Sequence, residues 1–188
     1  MKVKNVEIFA IQDDIFAFSQ ENAECMILWI RHGFNGMNSK WMFEFVPKIK
    51  NMQLQEYSIA ANTWLPLPSE NYLFEKSPWR RNGGKLIRLG EPLGKLVYFL
   101  LLSNTADAKE NDVDRIRESL NQTLGQLNRA NVTSFCLNGI QGDGKRQDKM
   151  NAEAMLGTVF EWVRVNDSGF RQIFFVDEGG YFQLPEER

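Results

Sequence analysis

Short apolar runs mark the strands in the second half of the chain. Leu96 to Leu102 reads LVYFLLL, Gln172 to Val176 reads QIFFV, and Val132 to Leu137 is a third run of strand length. A continuous apolar run of this length is typical of a strand that is covered on both faces. The pattern therefore predicts a central sheet with helices on either side.

Two segments between these strands carry apolar residues at helical spacing. Asn111 or Asp112 caps the first, and the second spans Asn151 to Val165. The apolar positions of the first are Val113, Ile116, Leu120, Leu124 and Leu127. Because buried strands alternate with helices, we expect the α/β class, with a mostly parallel central sheet in a three-layer α/β/α sandwich.

The first half of the chain has a weaker pattern. Lys2 to Ile11 alternates loosely and predicts a first strand, and Cys25 to Ile30, which reads CMILWI, predicts a buried one. Helical spacing predicts a short helix at Trp41 to Ile49. Short strands are predicted at Ser58 to Asn62 and at Lys85 to Leu89.

Residues 62 to 94 are predicted as an irregular excursion that is rich in aromatic side chains. A loop of this length in a compact domain is often a functional or covering element. Its aromatic rings either stack on a ligand or fix the loop to the core. They belong to Trp64, Tyr72, Phe74 and Trp79.

Composition limits the size and the class of the protein. Of the 188 residues 43% are hydrophobic, which is enough for one well-packed domain over residues 1 to 188 but cramped for two. The net charge of −2 gives no excess of positive charge for binding nucleic acid. The sequence has neither a signal-peptide core nor an apolar run long enough to cross a membrane, so we expect a cytoplasmic protein without a membrane partner.

Metal and thiol chemistry are not predicted. Cys25 and Cys136 each lie inside an apolar run and are interpreted as small core residues. His32 is the only histidine in the chain, so no group of residues has the spacing of a metal site, and a nucleophilic triad is disfavoured. Neither a metal nor a cofactor is expected.

The stretch from Val132 to Gly144, VTSFCLNGIQGDG, carries the main candidate for a ligand site. A strand that runs into a glycine-rich loop and then into a helix presents backbone N–H groups to an anion. Ligands of parallel sheets bind outside the carboxyl ends of the strands. Three more loops are predicted to gather there, at Asp13 to Ile15, His32 to Asn38 and Asp177 to Phe182. A ligand with a phosphate, a ribose and a purine would use all four loops.

These residues resemble the macro domain family, whose three-layer α/β/α modules bind ADP-ribose and related metabolites. The resemblance is best over Val97 to Phe182, where SFCLNGIQGDG and IFFVDEGGYF are similar to the phosphate-binding loop and the closing strand of that family. It implies that Asp14 receives the adenine amine while Ile15 contributes backbone groups, and that Tyr181 or Phe182 lies near the adenine or the distal ribose. The residues implied to wrap the diphosphate are Gly139, Ile140, Gln141, Gly142, Asp143 and Gly144.

The resemblance implies that the protein binds ADP-ribose or a similar nucleotide. If the protein is an enzyme, the implied reaction is the hydrolytic removal of ADP-ribose, with Asp143 as the base or nucleophile and Asn35 or Asn38 orienting the ribose. Asp143 is alternatively a turn residue of its Gly-Asp-Gly loop. A different hypothesis keeps the fold without the nucleotide, as an interaction module whose aromatic loop at residues 62 to 84 contacts a protein partner.

Overall fold

The computed structural model describes residues 1–31, 53–67, 84–89, 95–102, 112–139 and 145–185. Nine strands in these ranges form one sheet. In chain order they are β1 (Lys2–Val3), β2 (Val6–Ile11), β3 (Cys25–Arg31), β4 (Gln55–Ser58), β5 (Thr63–Pro66), β6 (Gly84–Arg88), β7 (Leu96–Leu102), β8 (Ser134–Asn138) and β9 (Gln172–Val176). The helices of the described ranges are α1 (Ile15–Asn22), α2 (Asp112–Arg129) and α3 (Lys145–Val165).

The strands lie across the sheet in the order β1, β2, β9, β8, β3, β7, β6, β4, β5. The central strands β2, β9, β8, β3 and β7 run parallel to one another. Antiparallel strands extend the sheet on both sides, with β1 beside β2 and with β6, β4 and β5 beyond β7. The predicted α/β class with a parallel central sheet is confirmed.

Side chains of the central strands alternate between two buried clusters, one on each face of the sheet. On β9, Ile173 and Phe175 belong to the cluster that includes the apolar sides of α2 and α3. Phe174 belongs to the other cluster, which includes Ile15 of α1. Because successive residues of a strand point to opposite faces, the sheet is covered on both sides, as the predicted sandwich requires.

Phe135 of β8 lies in the cluster under α2 and α3. Its side chain is fully buried, and its ring meets the Phe170 ring edge to face with 5.1 Å between the centroids. Phe170 in turn contacts Trp162 of α3, at 5.4 Å between the ring centroids. Aromatic contacts therefore connect the strand that leads to Gly139 with the helix that follows it.

The structure corrects two of the predicted strands. Lys2 to Ile11 is a hairpin rather than a single strand, because Lys4 has a φ of 50° and the chain reverses between β1 and β2. The strand predicted at Ser58 to Asn62 covers the turn between β4 and β5, in which Asn62 also has a φ of 50°. A residue in the left-handed region interrupts an extended strand, and asparagine adopts that region more readily than most residues.

The helix predicted from Asn151 begins at Lys145 instead. Its first turns carry exposed polar side chains, among them Lys145 and Arg146, so hydrophobic spacing gives no signal for them. Helix α1 has no counterpart among the predicted elements, because its only buried residues are Ile15 and Ser19. None of the helices in the described ranges is long and apolar enough to cross a membrane.

The other predicted elements within the described ranges agree with the structure. The predicted strands that correspond to β3, β6, β7, β8 and β9 are confirmed, as is the predicted helix that corresponds to α2. The short helix predicted at Trp41 to Ile49 lies outside the described residues.

Strand β5 lies inside the segment that the sequence predicts as an irregular excursion. Its Trp64 packs edge to face on Tyr57 with ring centroids 5.4 Å apart, and the Arg88 guanidinium lies 4.1 Å from the centroid of the Trp64 ring. These contacts fix Trp64 to the sheet, which favours a packing role over ligand stacking for this ring. The other aromatic residues of the excursion, Tyr72, Phe74 and Trp79, lie outside the described residues.

Cys25 and Cys136 are buried free thiols on neighbouring strands, in agreement with their interpretation as core residues. Burial raises the pKa of the Cys136 thiol to about 12. The thiol therefore stays protonated near neutral pH, where it is a poor nucleophile and a poor metal ligand. Across the described ranges, no three His, Cys, Asp or Glu side chains are grouped so as to hold a metal ion.

Candidate functional site

Parallel pairing brings the carboxyl ends of β2, β3, β8 and β9 to one edge of the sheet. The loops that follow β2 and β9 are joined there by two hydrogen bonds. The Asp177 backbone N–H donates to the Ile11 carbonyl oxygen at 3.1 Å, and the Gln12 side-chain amide donates to the Glu178 carbonyl oxygen at 3.0 Å. Two of the four predicted loops therefore form one continuous surface.

Asp14 caps the N-terminus of α1 at this edge. Its Oδ1 accepts hydrogen bonds from the backbone N–H groups of Phe16 at 2.9 Å and Ala17 at 3.0 Å, which satisfies two of the donors that a helix leaves open. Ile15 is buried in the cluster on the α1 face. Both residues lie where the sequence predicts the site, and their contacts with an adenine remain a prediction.

The loop after β9 is a tight turn built around Asp177. The Asp177 carboxylate accepts hydrogen bonds from the Tyr181 N–H at 3.1 and 3.2 Å and from the Phe182 N–H at 3.4 Å. Gly180 has a φ of 66°, a conformation that glycine adopts without steric cost. The Tyr181 ring lies against Gly179, where a Cβ atom would collide with it. The turn therefore fixes the backbone and the ring of Tyr181.

The two aromatic residues of this turn have different surroundings. Phe182 is 6% exposed, and its ring packs on Phe175 with centroids 4.9 Å apart. Tyr181 is only partly buried against the same cluster. Tyr181 is therefore the better candidate for ligand contact, while Phe182 supports the turn from the core.

Gly139 lies beside this turn at the end of β8. A Cβ atom built on Gly139 would be 3.6 Å from the Asp177 Cβ and 3.7 Å from the Phe182 ring. The first glycine of the predicted phosphate loop thus adjoins the loop after β9, and α3 begins at Lys145, where that loop ends. The other predicted site residues lie outside the described residues. In the glycine loop these are Ile140, Gln141, Gly142, Asp143 and Gly144, and after β3 they are Asn35 and Asn38.

Solved structures share this architecture, whereas no protein-family model and no curated protein matches the sequence. A variant of a macrodomain from Oceanobacillus iheyensis with ADPR covers 96% of this chain and 91% of its own length, at 10% identity and a TM-score of 0.55. The match to the macrodomain of the same organism with ADP covers 96% of this chain and 89% of that structure's chain, at 10% identity and a TM-score of 0.58. The match to the macrodomain of Thermus aquaticus DarG covers 92% of this chain and 98% of that structure's chain, at 7% identity and a TM-score of 0.50.

The protein has the macrodomain fold. The resemblance drawn from the glycine loop and the closing strand is thereby confirmed at the level of the fold. Because proteins of one fold carry many functions, the ligand of this chain has to be argued from its own residues.

Strand β3 of this macrodomain fold extends further toward the carboxyl edge of the sheet than its neighbour β8. Pairing between β3 and β8 ends at Ile27 and Leu137. In contrast, β3 stays paired with β7 as far as Arg31, and β8 stays paired with β9 as far as Asn138. In this register Leu28 lies level with Asn138, the last residue of β8, and Trp29 to Arg31 of β3 extend beyond the end of β8. The end of β8 lies at the same edge of the sheet as the loops after β2 and β9.

Two buried side-chain polar atoms, one on β3 and one at the end of β8, have no hydrogen-bond partner in the described part of the chain. They are Trp29 Nε1 and Asn138 Oδ1. Neither residue is a site candidate from the sequence, because both lie in strands that are otherwise apolar. Whether a polar atom finds a partner depends on tertiary contacts, which residue type and spacing do not encode.

Charge at this edge of the macrodomain fold is mixed. Asp13 and Glu178 are exposed acidic residues in the loops after β2 and β9. The first turn of α3 carries the exposed basic residues Lys145 and Arg146 together with the partly buried acidic residue Asp148. Since the N-terminus of a helix also favours anions, the end of the site near α3 is the more favourable one for a phosphate.

We expect Asp177→Ala to lower the free energy of unfolding by about 1–3 kcal/mol, because the N–H groups of Tyr181 and Phe182 lose a charged acceptor. Asp177→Asn retains one acceptor oxygen and should give a smaller loss. Urea unfolding of each variant measures the difference. The control is Asp167→Ala, since the exposed Asp167 carboxylate forms a 4.0 Å surface ion pair with Lys4 and its removal should leave stability unchanged. Equal stability of Asp177→Ala and Asp167→Ala would contradict the role of Asp177 in the turn.

Proposed function

We propose that the protein binds ADP-ribose, or a related nucleotide with an ADP group, across the carboxyl ends of β2, β9 and β8. The observation that carries this proposal is the convergence of Asp14, Gly139 and Tyr181 on one edge of a macrodomain fold. The macrodomain of Oceanobacillus iheyensis has been solved with ADPR and with ADP, so this class of ligand is compatible with the fold.

The proposed ligand lies along the strand ends. Strand β9 separates β2 from β8 in the sheet, so the loops after β2 and β8 begin about 10 Å apart at the usual spacing between strands. A nucleotide with its base at the start of α1, beside Asp14, then extends its phosphates toward Gly139. Tyr181 belongs to the loop between these two points and contacts the sugar or the base.

Electrostatics favour this direction of binding. Open N–H groups and the dipole at the start of α3 attract an anion that lies in the glycine loop. Lys145 and Arg146 add two exposed positive charges to the same turn, against one negative charge from Asp148, and a charged donor strengthens its hydrogen bonds to phosphate oxygens. At the other end, the acidic loop after β2 favours the amine or hydroxyl groups of an adenosine.

Hydrolytic removal of ADP-ribose is the finer proposal for the same site. Asp143 is the proposed base or nucleophile, and Asn35 or Asn38 is proposed to orient the ribose. These residues lie outside the described residues, so the reaction rests on the sequence resemblance. Incubation of the protein with an ADP-ribosylated protein tests it, and failure to release ADP-ribose contradicts hydrolysis while leaving binding intact.

An interaction module that has lost nucleotide binding is the alternative function. It is favoured by Ile59 and Leu65 on the β4–β5 hairpin, whose large apolar side chains are 45% and 46% exposed. Apolar side chains that face solvent on an outer hairpin are available for contact with a protein partner. This alternative predicts no response of the protein to any nucleotide.

Titration with ADP-ribose, ADP, AMP and NAD separates the two functions. At a ligand concentration of a hundred times Kd, binding stabilises the folded state by about 2.7 kcal/mol. For a protein of this size, we expect Tm to rise by roughly 2–4 °C for each kcal/mol. Thermal-shift and calorimetric titrations in which none of the four nucleotides binds would contradict the proposed function and favour the alternative.

A further inference from the structure

Gln12 lies between the two loops that meet at the candidate site, and its backbone is fixed on both sides. Before it, the Ile11 carbonyl oxygen accepts a hydrogen bond from the Asp177 N–H at 3.1 Å. After it, Asp14 caps α1 by accepting hydrogen bonds from two backbone N–H groups. The Gln12 side chain therefore extends from a fixed point at the end of β2.

The Gln12 side chain contacts the turn after β9 at two places. Its Nε2 donates a hydrogen bond to the Glu178 carbonyl oxygen at 3.0 Å. Its Oε1 and Cδ lie against Gly180, at 3.4 and 3.5 Å from the position that a Cβ atom would take there. Between these two contacts is Gly179, against which the Tyr181 ring lies. Gln12 thus contacts both neighbours of the residue that carries the ring.

The peptide bond between Glu178 and Gly179 is the part of this turn that can rotate at the lowest cost. Glu178 and Gly179 are the two turn residues, and type I and type II turns differ by a rotation of the peptide between such residues. The type II orientation requires a positive φ at the second residue, which glycine adopts without steric cost. Gly179 does not have a positive φ. The sequence therefore permits an orientation that the structure does not have.

We propose that Gln12 is a positioning residue that selects this peptide orientation and thereby places Tyr181 for contact with the nucleotide. The inference rests on the proposed function and assigns a role to a residue that is not predicted to contact the ligand. Rotation of the peptide turns the Glu178 carbonyl oxygen away from Gln12 Nε2, so the hydrogen bond stabilises the observed orientation over the rotated one. Gln12 acts on the turn and not on the ligand.

The effect of Gln12 on affinity follows from the fraction of molecules whose turn has the competent orientation. When only a fraction of the protein can bind, the apparent Kd rises by the inverse of that fraction. A single hydrogen bond of this kind changes an equilibrium about three- to tenfold, and we expect loss of the Gln12 donor to weaken ADP-ribose binding within this range. Global stability should change little, because the Gln12 side chain is exposed and loses rotamer entropy when it is held in place.

Gln12→Met tests this role, because it keeps an unbranched side chain of similar length and removes the N–H donor. The Gly179 N–H belongs to the peptide that rotates, so the chemical shift and the NMR relaxation dispersion of the Gly179 amide report its orientation in the ligand-free protein. We expect a second orientation at Gly179 in this variant. Calorimetric titration should then give a Kd for ADP-ribose that is raised by the inverse of the competent fraction.

A matched control and a second background separate positioning from other effects. Gln122→Met makes the same change on the exposed side of α2 and should alter neither the Gly179 amide nor the affinity. If Gln12 acts only through Tyr181, Gln12→Met should cause no further loss of affinity in a Tyr181→Ala background. If the Gln12 amide itself bound the nucleotide, the two losses would multiply in the double variant, and this result would overturn the proposal.

The proposal is also overturned if Gln12→Met leaves the Gly179 peptide in one unchanged orientation, or if it binds ADP-ribose as tightly as Gln122→Met does. A lower Tm with unchanged affinity would assign Gln12 a packing role only. Wild-type protein that binds none of ADP-ribose, ADP, AMP and NAD overturns the proposed function itself. Because the Gly179 measurement is made without ligand, it still decides in that case whether Gln12 controls the turn.

Discussion

Phe135→Ala is expected to lower the free energy of unfolding by about 3–5 kcal/mol, the usual cost of truncating a buried phenylalanine. The Phe135 ring is fully buried and contacts Phe170, which contacts Trp162. Alanine leaves a cavity between a central strand and α3 that rigid neighbours fill only in part. In a chain of this length, Tm should fall by roughly 2–4 °C for each kcal/mol lost.

Two further variants make this result specific to the cavity. Phe135→Leu keeps most of the volume and should lose clearly less stability than Phe135→Ala. Val165→Ala truncates a side chain that is 73% exposed and should change stability little. Similar unfolding free energies for all three variants in urea would contradict the packing described around Phe135.

Gly139→Glu is expected to reduce the affinity for ADP-ribose at least a hundredfold. A Cβ atom at Gly139 fits at 3.6 Å from the Asp177 Cβ and 3.7 Å from the Phe182 ring, so a glutamate there places its carboxylate at the end of β8, beside the loop after β9 and the proposed phosphate site. Its carboxylate then adds a negative charge where the diphosphate binds, and like charges at short range repel strongly. Calorimetric titration with ADP-ribose measures the loss.

The same titration needs two controls. Gly139→Ala adds only a Cβ atom with ordinary contacts and should retain most of the affinity. Gly157→Glu introduces the same charge on the exposed side of α3, at a glycine whose Cβ would meet nothing within 4 Å. If Gly139→Glu and Gly157→Glu bind ADP-ribose equally well, the phosphate site does not lie at Gly139.

The second half of the fold can be predicted because its local pattern and its tertiary environment agree. Helix α2 repeats its apolar residues at helical spacing, and Ile116, Leu120 and Leu124 are all buried. The hairpins of the first half cannot be predicted in this way. Lys4 and Asn62 reverse the chain with a φ of 50°, and nothing in the residue type of Lys4 marks it as left-handed.

The sequence indicates where the candidate site lies better than it indicates which side chains form it. The loops with Asp14, Gly139 and Tyr181 meet because parallel strands place their carboxyl ends together, and a parallel sheet follows from the alternation of elements. From the sequence alone Phe182 is as good a candidate for ligand contact as Tyr181, yet its ring is packed in the core. Asn138 is the opposite case, since no sequence pattern marks it, yet its buried Oδ1 has no partner in the described part of the chain.

The short outer strands limit strand pairing between copies of the protein. An outer strand with free backbone groups can recruit a strand from another chain and start aggregation. On one side, β2 is covered by β1, which has only two residues. On the other side of the described sheet, β5 has four residues and ends at Pro66, which has no N–H group to donate. Both outer strands are therefore poor templates for intermolecular sheet growth.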